Sequence, residues 1–130
     1  MKALLTILVT VFLTSLTAQA DIFDDFKRIE LLPQALNHCS SCHKNVVKAK
    51  KVYTELSDYS GKVDYTQYLD QRYMPDMNSI RYFFASDKAA AEYYANELKN
   101  IGITVSVERL DMTNNSQHKF YNKIELWIVE

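Results

Sequence analysis

Apolar positions change rhythm several times along this chain. Leu4 to Leu16 is an almost unbroken apolar run with no charge. Ile22, Phe26 and Ile29 then fall at i, i+4 and i+7, one stripe of a helix that Pro33 ends or redirects. A second helical stretch is expected to start near Pro33, a residue suited to a first helical turn. Val46, Ala49, Tyr53 and Leu56 continue an apolar stripe, with Lys44, Lys48, Lys50 and Lys51 largely off it. Ser57 to Gly61 reads as a break. Tyr65, Tyr68, Leu69 and Tyr73 predict a third short helix, stopped by Pro75.

From Ser79 the period shortens. Ile80, Tyr82 and Phe84 alternate with Arg81 and Phe83, a strand pattern. Ser86 and Asp87 supply a cap and a first-turn acid for a helix through about Asn100, with Ala91, Tyr94, Leu98 and Ile101 on one face. Gly102 is placed as its C′ residue. Ile103, Val105 and Val107 form a second alternating strand, residues 113–117 a turn, and Ile124, Leu126 and Ile128 one face of a third strand. The expected fold is therefore α+β, a single small domain. Residues 21–78 form a helical half and 79–130 a β-α-β-β unit, a small antiparallel hairpin joined to one more strand.

The amino end adds a location. Lys2, the apolar run and Ala18-Gln19-Ala20 before Asp21 are the three zones of a cleavable signal peptide, with cleavage after residue 20. The apolar run is shorter than a membrane span requires, so a periplasmic or secreted product is expected, with no stable membrane insertion. Without those residues and their one lysine, 14 basic residues face 16 acidic ones, a net of −2, which argues against a nucleic-acid partner. Two glycines and two prolines mark an ordered chain, and nine dispersed tyrosines are expected at the core boundary.

One motif carries chemistry, Cys39-Ser40-Ser41-Cys42-His43. Two cysteines at this spacing followed directly by histidine resemble the haem-attachment site of the c-type cytochromes. The resemblance implies a covalent haem c held by Cys39 and Cys42, with His43 as the proximal iron ligand. Met74 or Met77, in a non-helical stretch, is a candidate distal ligand, and Met112 and His118 are others; core packing competes for each methionine. His38 is expected on the surface. The class I cytochrome c pattern of glycine and aromatic residues around the motif is absent, and strands stand where that family has its last helix.

Three other readings attach to the same residues. Two cysteines in an exported chain can form a disulfide, which closes a very small loop. A redox-active dithiol of the thioredoxin kind calls for a preceding strand and a βαβ context, where the periodicity here predicts helix. Zinc would draw on His38, Cys39, Cys42 and His43, but adjacent residues point apart and rarely chelate one ion. In the second half, the stretch 82–92, Leu98, Gly102 and 103–107 resemble the inhibitor B family of ribonuclease E regulators, which implies a βαββ fold and no partner. Asp24 and Asp25 read as a solvated face, the lysines at 48, 50 and 51 as a wet helix side or a docking patch for a redox protein, and 114–116 as a weak glycosylation pattern. No catalytic triad, phosphate-binding loop or HExxH motif occurs. The leading expectation is an exported monohaem protein for electron transfer or haem-based sensing. Its alternative is a haem-free binding or inhibitor protein with a Cys39–Cys42 disulfide.

Overall fold

The computed structural model describes residues 22–58, 62–111 and 121–130. The proposed signal segment, Met112, the turn at 113–117 and His118 lie outside them. A first helix, α1, covers residues 22–28. It is followed by β1 (Glu30–Leu36), α2 (Ser40–Ser57), β2 (Gln67–Leu69), β3 (Ser79–Tyr82), α3 (Lys88–Asn100), β4 (Ser106–Arg109) and β5 (Lys123–Ile128), with short 3-10 turns at Gln71–Tyr73 and Ala85–Asp87. The fold is α+β, as the periodicity predicts.

The strands form one five-stranded sheet in the order β2-β1-β5-β3-β4. Strand β1 runs parallel to both β2 and β5, and β3 runs parallel to β4 and antiparallel to β5. Residues from both halves of the sequence thus share one sheet. Three expectations are corrected. The helix expected from Pro33 is strand β1. Pro33 survives there because its missing N–H falls on the β2 side, ahead of the first β2 pair at Gln34 and Gln67. The helix expected over Tyr65–Tyr73 is the three-residue strand β2 and a 3-10 turn. The expected hairpin of the last two strands does not form. Strands β4 and β5 lie on opposite sides of β3, so β3-α3-β4 is a parallel crossover unit.

The helices cover one face of the sheet. Leu31 and Ala35 of β1, Ile80 and Tyr82 of β3, and Ile124, Leu126 and Ile128 of β5 meet Phe26, Val46, Ala49, Tyr53, Ala91, Tyr94 and Leu98 in one buried cluster. Phe26, Tyr53 and Tyr94 contact one another edge to face, with centroids 5.6–6.3 Å apart. Tyr53 and Tyr94 satisfy their hydroxyls locally. Tyr94 donates to the Ala49 carbonyl at 2.6 Å and Tyr53 to that of Ile29. Burial pushes both phenols above their ordinary range. Arg28 of α1 reaches across to the buried carboxylate of Asp87 at 2.8 Å, pinning α1 to the start of α3. Asp87 spends its carboxylate on this pair and makes no side-chain cap on α3. Gly102, at φ +87°, closes α3 in the left-handed region, as its sequence position predicts.

The opposite face is polar and aromatic. Arg81 stacks 4.6 Å above the Trp127 ring and pairs with Glu108 at 3.4 Å. Among the described residues, no helix is long and apolar enough to cross a membrane.

Candidate functional site, a cystine at a helix amino terminus

Strand β1 ends at Leu36, and a two-residue turn at Asn37 and His38 delivers the chain to α2. The reversal is tight. His38 takes φ +58°, a left-handed conformation that histidine adopts more readily than most residues. Asn37 assists by accepting the His38 N–H on its side-chain oxygen at 3.0 Å. Its own N–H donates to the Leu69 carbonyl at 2.7 Å, which ties the turn to β2. The motif therefore sits at the carboxyl ends of the parallel strands β1, β2 and β5, where open α/β sheets place their sites.

Cys39 is the N-cap of α2. Its sulfur accepts the backbone N–H of Cys42 at 3.2 Å, the position usually filled by a Ser, Thr, Asp or Asn oxygen. Cys39 and Cys42 form a disulfide, with Cα atoms 5.2 Å apart. The two sulfurs have unequal surroundings. Cys42 is fully buried in the core cluster, whereas Cys39 is only partly buried and lines an open groove. No carboxylate occupies the first turn of this 18-residue helix. The positive end of its dipole lies at the cystine, and no carboxylate of the helix's own first turn competes for it.

His43 lies one turn beyond Cys39, on the same side of α2. Its Nδ1 is hydrogen-bonded to the Tyr68 hydroxyl at 2.5 Å across the gap to β2. The groove, about 410 Å³, is lined by Asn37, His38, Cys39, Ser40, His43 and Tyr68. The structure thus brings Cys39, Cys42 and His43 together and adds Tyr68, which sequence periodicity assigned to a helix stripe. Met74 is half-buried and Met77 is exposed, and neither lines the groove. His38 is exposed, as expected. The dithiol reading gains the context that periodicity denied it. A strand precedes the motif, and β1-α2-β2 is a parallel crossover unit. Among the described residues, no group of three or more His, Cys, Asp or Glu side chains is placed to hold a metal ion.

No family model, curated protein or solved structure matches this chain.

Proposed function

We propose that this chain is an exported thiol–disulfide exchange protein whose Cys39–Cys42 pair cycles between cystine and dithiol. The observation that carries the reading is the unequal burial of two bonded sulfurs at the amino end of a long helix. A substrate thiolate meets Cys39 first, because Cys42 is shielded. Attack on the Cys39 sulfur forms a mixed disulfide and expels the Cys42 thiolate. A second substrate thiolate then attacks the substrate sulfur of that mixed disulfide and releases the Cys39 thiolate. The substrate leaves with a new disulfide, and its two electrons reside on the Cys39–Cys42 dithiol. A second protein disulfide then reoxidises the Cys39–Cys42 dithiol for another round, whereas the reverse sequence reduces a substrate cystine and draws its two electrons from a second protein dithiol. The dipole of α2 and the Cys42 N–H favour the Cys39 thiolate, which makes Cys39 both a good leaving group and a good nucleophile.

A covalent haem is the competing reading, supported by the Cys-x-x-Cys-His spacing and the export signal. Its iron would take His43, and its thioethers would take both sulfurs. As folded, Cys42 is turned into the core and five of the six groove residues carry polar side chains, whereas a porphyrin face calls for apolar walls. The arrangement favours exchange.

The deciding experiment uses protein recovered from a host that exports it and matures c-type cytochromes. The expected product starts at Asp21, is colourless, and oxidises a reduced dicysteine peptide. Cys42→Ser is expected to accumulate a mixed disulfide through Cys39, and Cys39→Ser to be inert. A haem-sized mass addition with a c-type haemochrome spectrum refutes exchange and establishes the haem protein.

A further inference from the structure

The exchange cycle leaves Cys39 and Cys42 as a dithiol, which a second protein must reoxidise. Helix α2 carries both cysteines and presents a charged face beside them. Cys42, Val46, Ala49 and Tyr53 are its buried side. Lys44, Lys48 and Lys51 lie on the opposite side and are exposed, with Lys50 on the flank. No acid precedes Glu55 along the helix. Among the described residues, Lys27, Lys88 and Lys123 are paired with carboxylates, whereas the lysines of α2 are not. The excess is local. The chain has 15 basic and 16 acidic residues, so without these four lysines the remainder carries 11 against 16, a net of −5. At the centre of the patch stands Val47, 55% exposed. His43, Lys44, Lys50 and Lys51 are each three or four residues from it, the spacing of neighbours on a helix surface. His43 also lines the Cys39 groove, so patch and groove are continuous.

Resting on the exchange reading, we propose that this face of α2 docks the protein that reoxidises the pair, a folded protein whose own disulfide is rimmed by carboxylates. Lys44 and Lys51 stand about 8 and 18 Å from Cys39 along the helix axis, at about 1.5 Å per residue. A standard interface of about 800 Å² per partner is roughly 30 Å across, enough to cover both Cys39 and the lysines. Val47 supplies an apolar centre and the lysines a charged rim. A fixed charge pattern suits a partner met in every cycle, whereas polypeptide substrates differ in charge and some would be turned away. A lipid surface calls for an apolar helix face to bury, and that of α2 is already in the core. The net −5 of the remaining chain opposes a nucleic acid. In the exchange, the Cys39 thiolate attacks one sulfur of the partner's disulfide and expels the other as a thiolate. The Cys42 thiolate then attacks the Cys39 sulfur, which reforms the cystine and leaves the partner as a dithiol holding both electrons.

The test takes the full-length mature protein in its reduced form and measures its reoxidation by two disulfide-closed dicysteine peptides. One peptide carries glutamates around its disulfide and the other glutamines. The quantity read is the ratio of the two rates, which cancels any change in Cys39 itself. One variant combines Lys44→Gln, Lys48→Gln, Lys50→Gln and Lys51→Gln, with glutamine chosen because its helix propensity is close to that of lysine. A charge-matched control combines Lys27→Gln, Lys88→Gln, Lys99→Gln and Lys123→Gln. At about 0.1 M salt the screening length is about 10 Å, so nearby charges dominate. There the wild-type ratio should exceed that of the α2 variant roughly 4- to 10-fold, the equivalent of four weak exposed ion pairs. The control should keep the wild-type ratio, and at about 1 M salt all three proteins should agree. Should the fourfold variant not fold by circular dichroism, Lys44→Gln with Lys48→Gln carries the test at half the effect on a logarithmic scale. Equal ratios for wild type and the α2 variant at the lower salt overturn the proposal. So does an equal fall in the control, which makes net charge the cause, or tight binding to phosphatidylglycerol vesicles without a difference in ratio, which assigns the face to lipid. A reduced wild-type protein that neither peptide reoxidises overturns the exchange reading itself.

Discussion

The stability difference between the oxidised and reduced forms separates a functional cystine from a structural staple. Cys39 and Cys42 are three residues apart, so their bond closes a loop of about four residues. The chain-entropy argument assigns such a loop about 2 kcal/mol at 25 °C, well below the roughly 4.7 kcal/mol of a 100-residue loop. Reduction recovers part of this, because a Cys39 thiolate at the cap of α2 interacts with the dipole by about 0.3–1 kcal/mol. The expected gap is therefore about 1–2 kcal/mol, or about 20–45 mV in the potential of the pair relative to the unfolded chain. The aromatic part of the core also lies further along α2, where Tyr53 packs against Phe26 and Tyr94, about three turns beyond Cys42. Urea unfolding followed by Trp127 fluorescence, with and without dithiothreitol, measures the gap directly. Both forms should unfold cooperatively, with midpoints offset by the small amount above. A gap of about 4 kcal/mol or more, in the range of structural disulfides in small secreted domains, would refute the reasoning. So would a reduced form with no cooperative transition.

Two further outcomes test the packing. Arg28→Ala strands the Asp87 carboxylate, whose side chain is 1% exposed, and should destabilise by about 3 kcal/mol in urea; the low end of the range for a broken buried pair applies because Arg28 is 36% exposed. Adding Asp87→Asn should recover much of that loss, and a single-variant loss under about 1 kcal/mol would show that the pair is not what holds α1. Burial raises the Glu125 carboxyl above its ordinary value of 4.5, against the pull of Arg81. The folded state thus disfavours the ionised form, and the benefit of the protonated form, complete below the unfolded value, fades as pH rises through the folded one. Glu125→Gln should therefore raise the melting temperature at neutral pH, with the advantage closing as pH falls toward 4.5 and absent below it; a pH-independent difference would refute the burial argument.

Legibility in the sequence followed element length. Helix α2 and helix α3 carry several turns of apolar stripe, and β5 alternates cleanly through Ile124, Leu126 and Ile128, so each could be read directly. Strand β1 could not. Its Leu31-Leu32-Pro33-Gln34-Ala35-Leu36 run buries Pro33, Gln34 and Ala35 in succession, so it shows no period of two. Strand β2, at three residues, is too short to show any period. Its tyrosines mimic a helix stripe because Tyr65, Tyr68 and the 3-10 turn at Tyr73 happen to be spaced that way.

The candidate site divides along the same line. Cys39, Cys42 and His43 are adjacent in the chain, so their association is a matter of covalent spacing and needs no fold. The sequence alone determined which atoms can do chemistry here, and its leader-like amino end proposed where. Tertiary structure decided what kind of chemistry the geometry favours. It placed a strand before the motif, made Cys39 an N-cap, buried one sulfur and left the other accessible, and brought Tyr68 from 25 residues away to His43. The physical reason is that burial and hydrogen-bond partners come from long-range pairing between β1 and its two neighbours. No local pattern around the motif encodes that pairing.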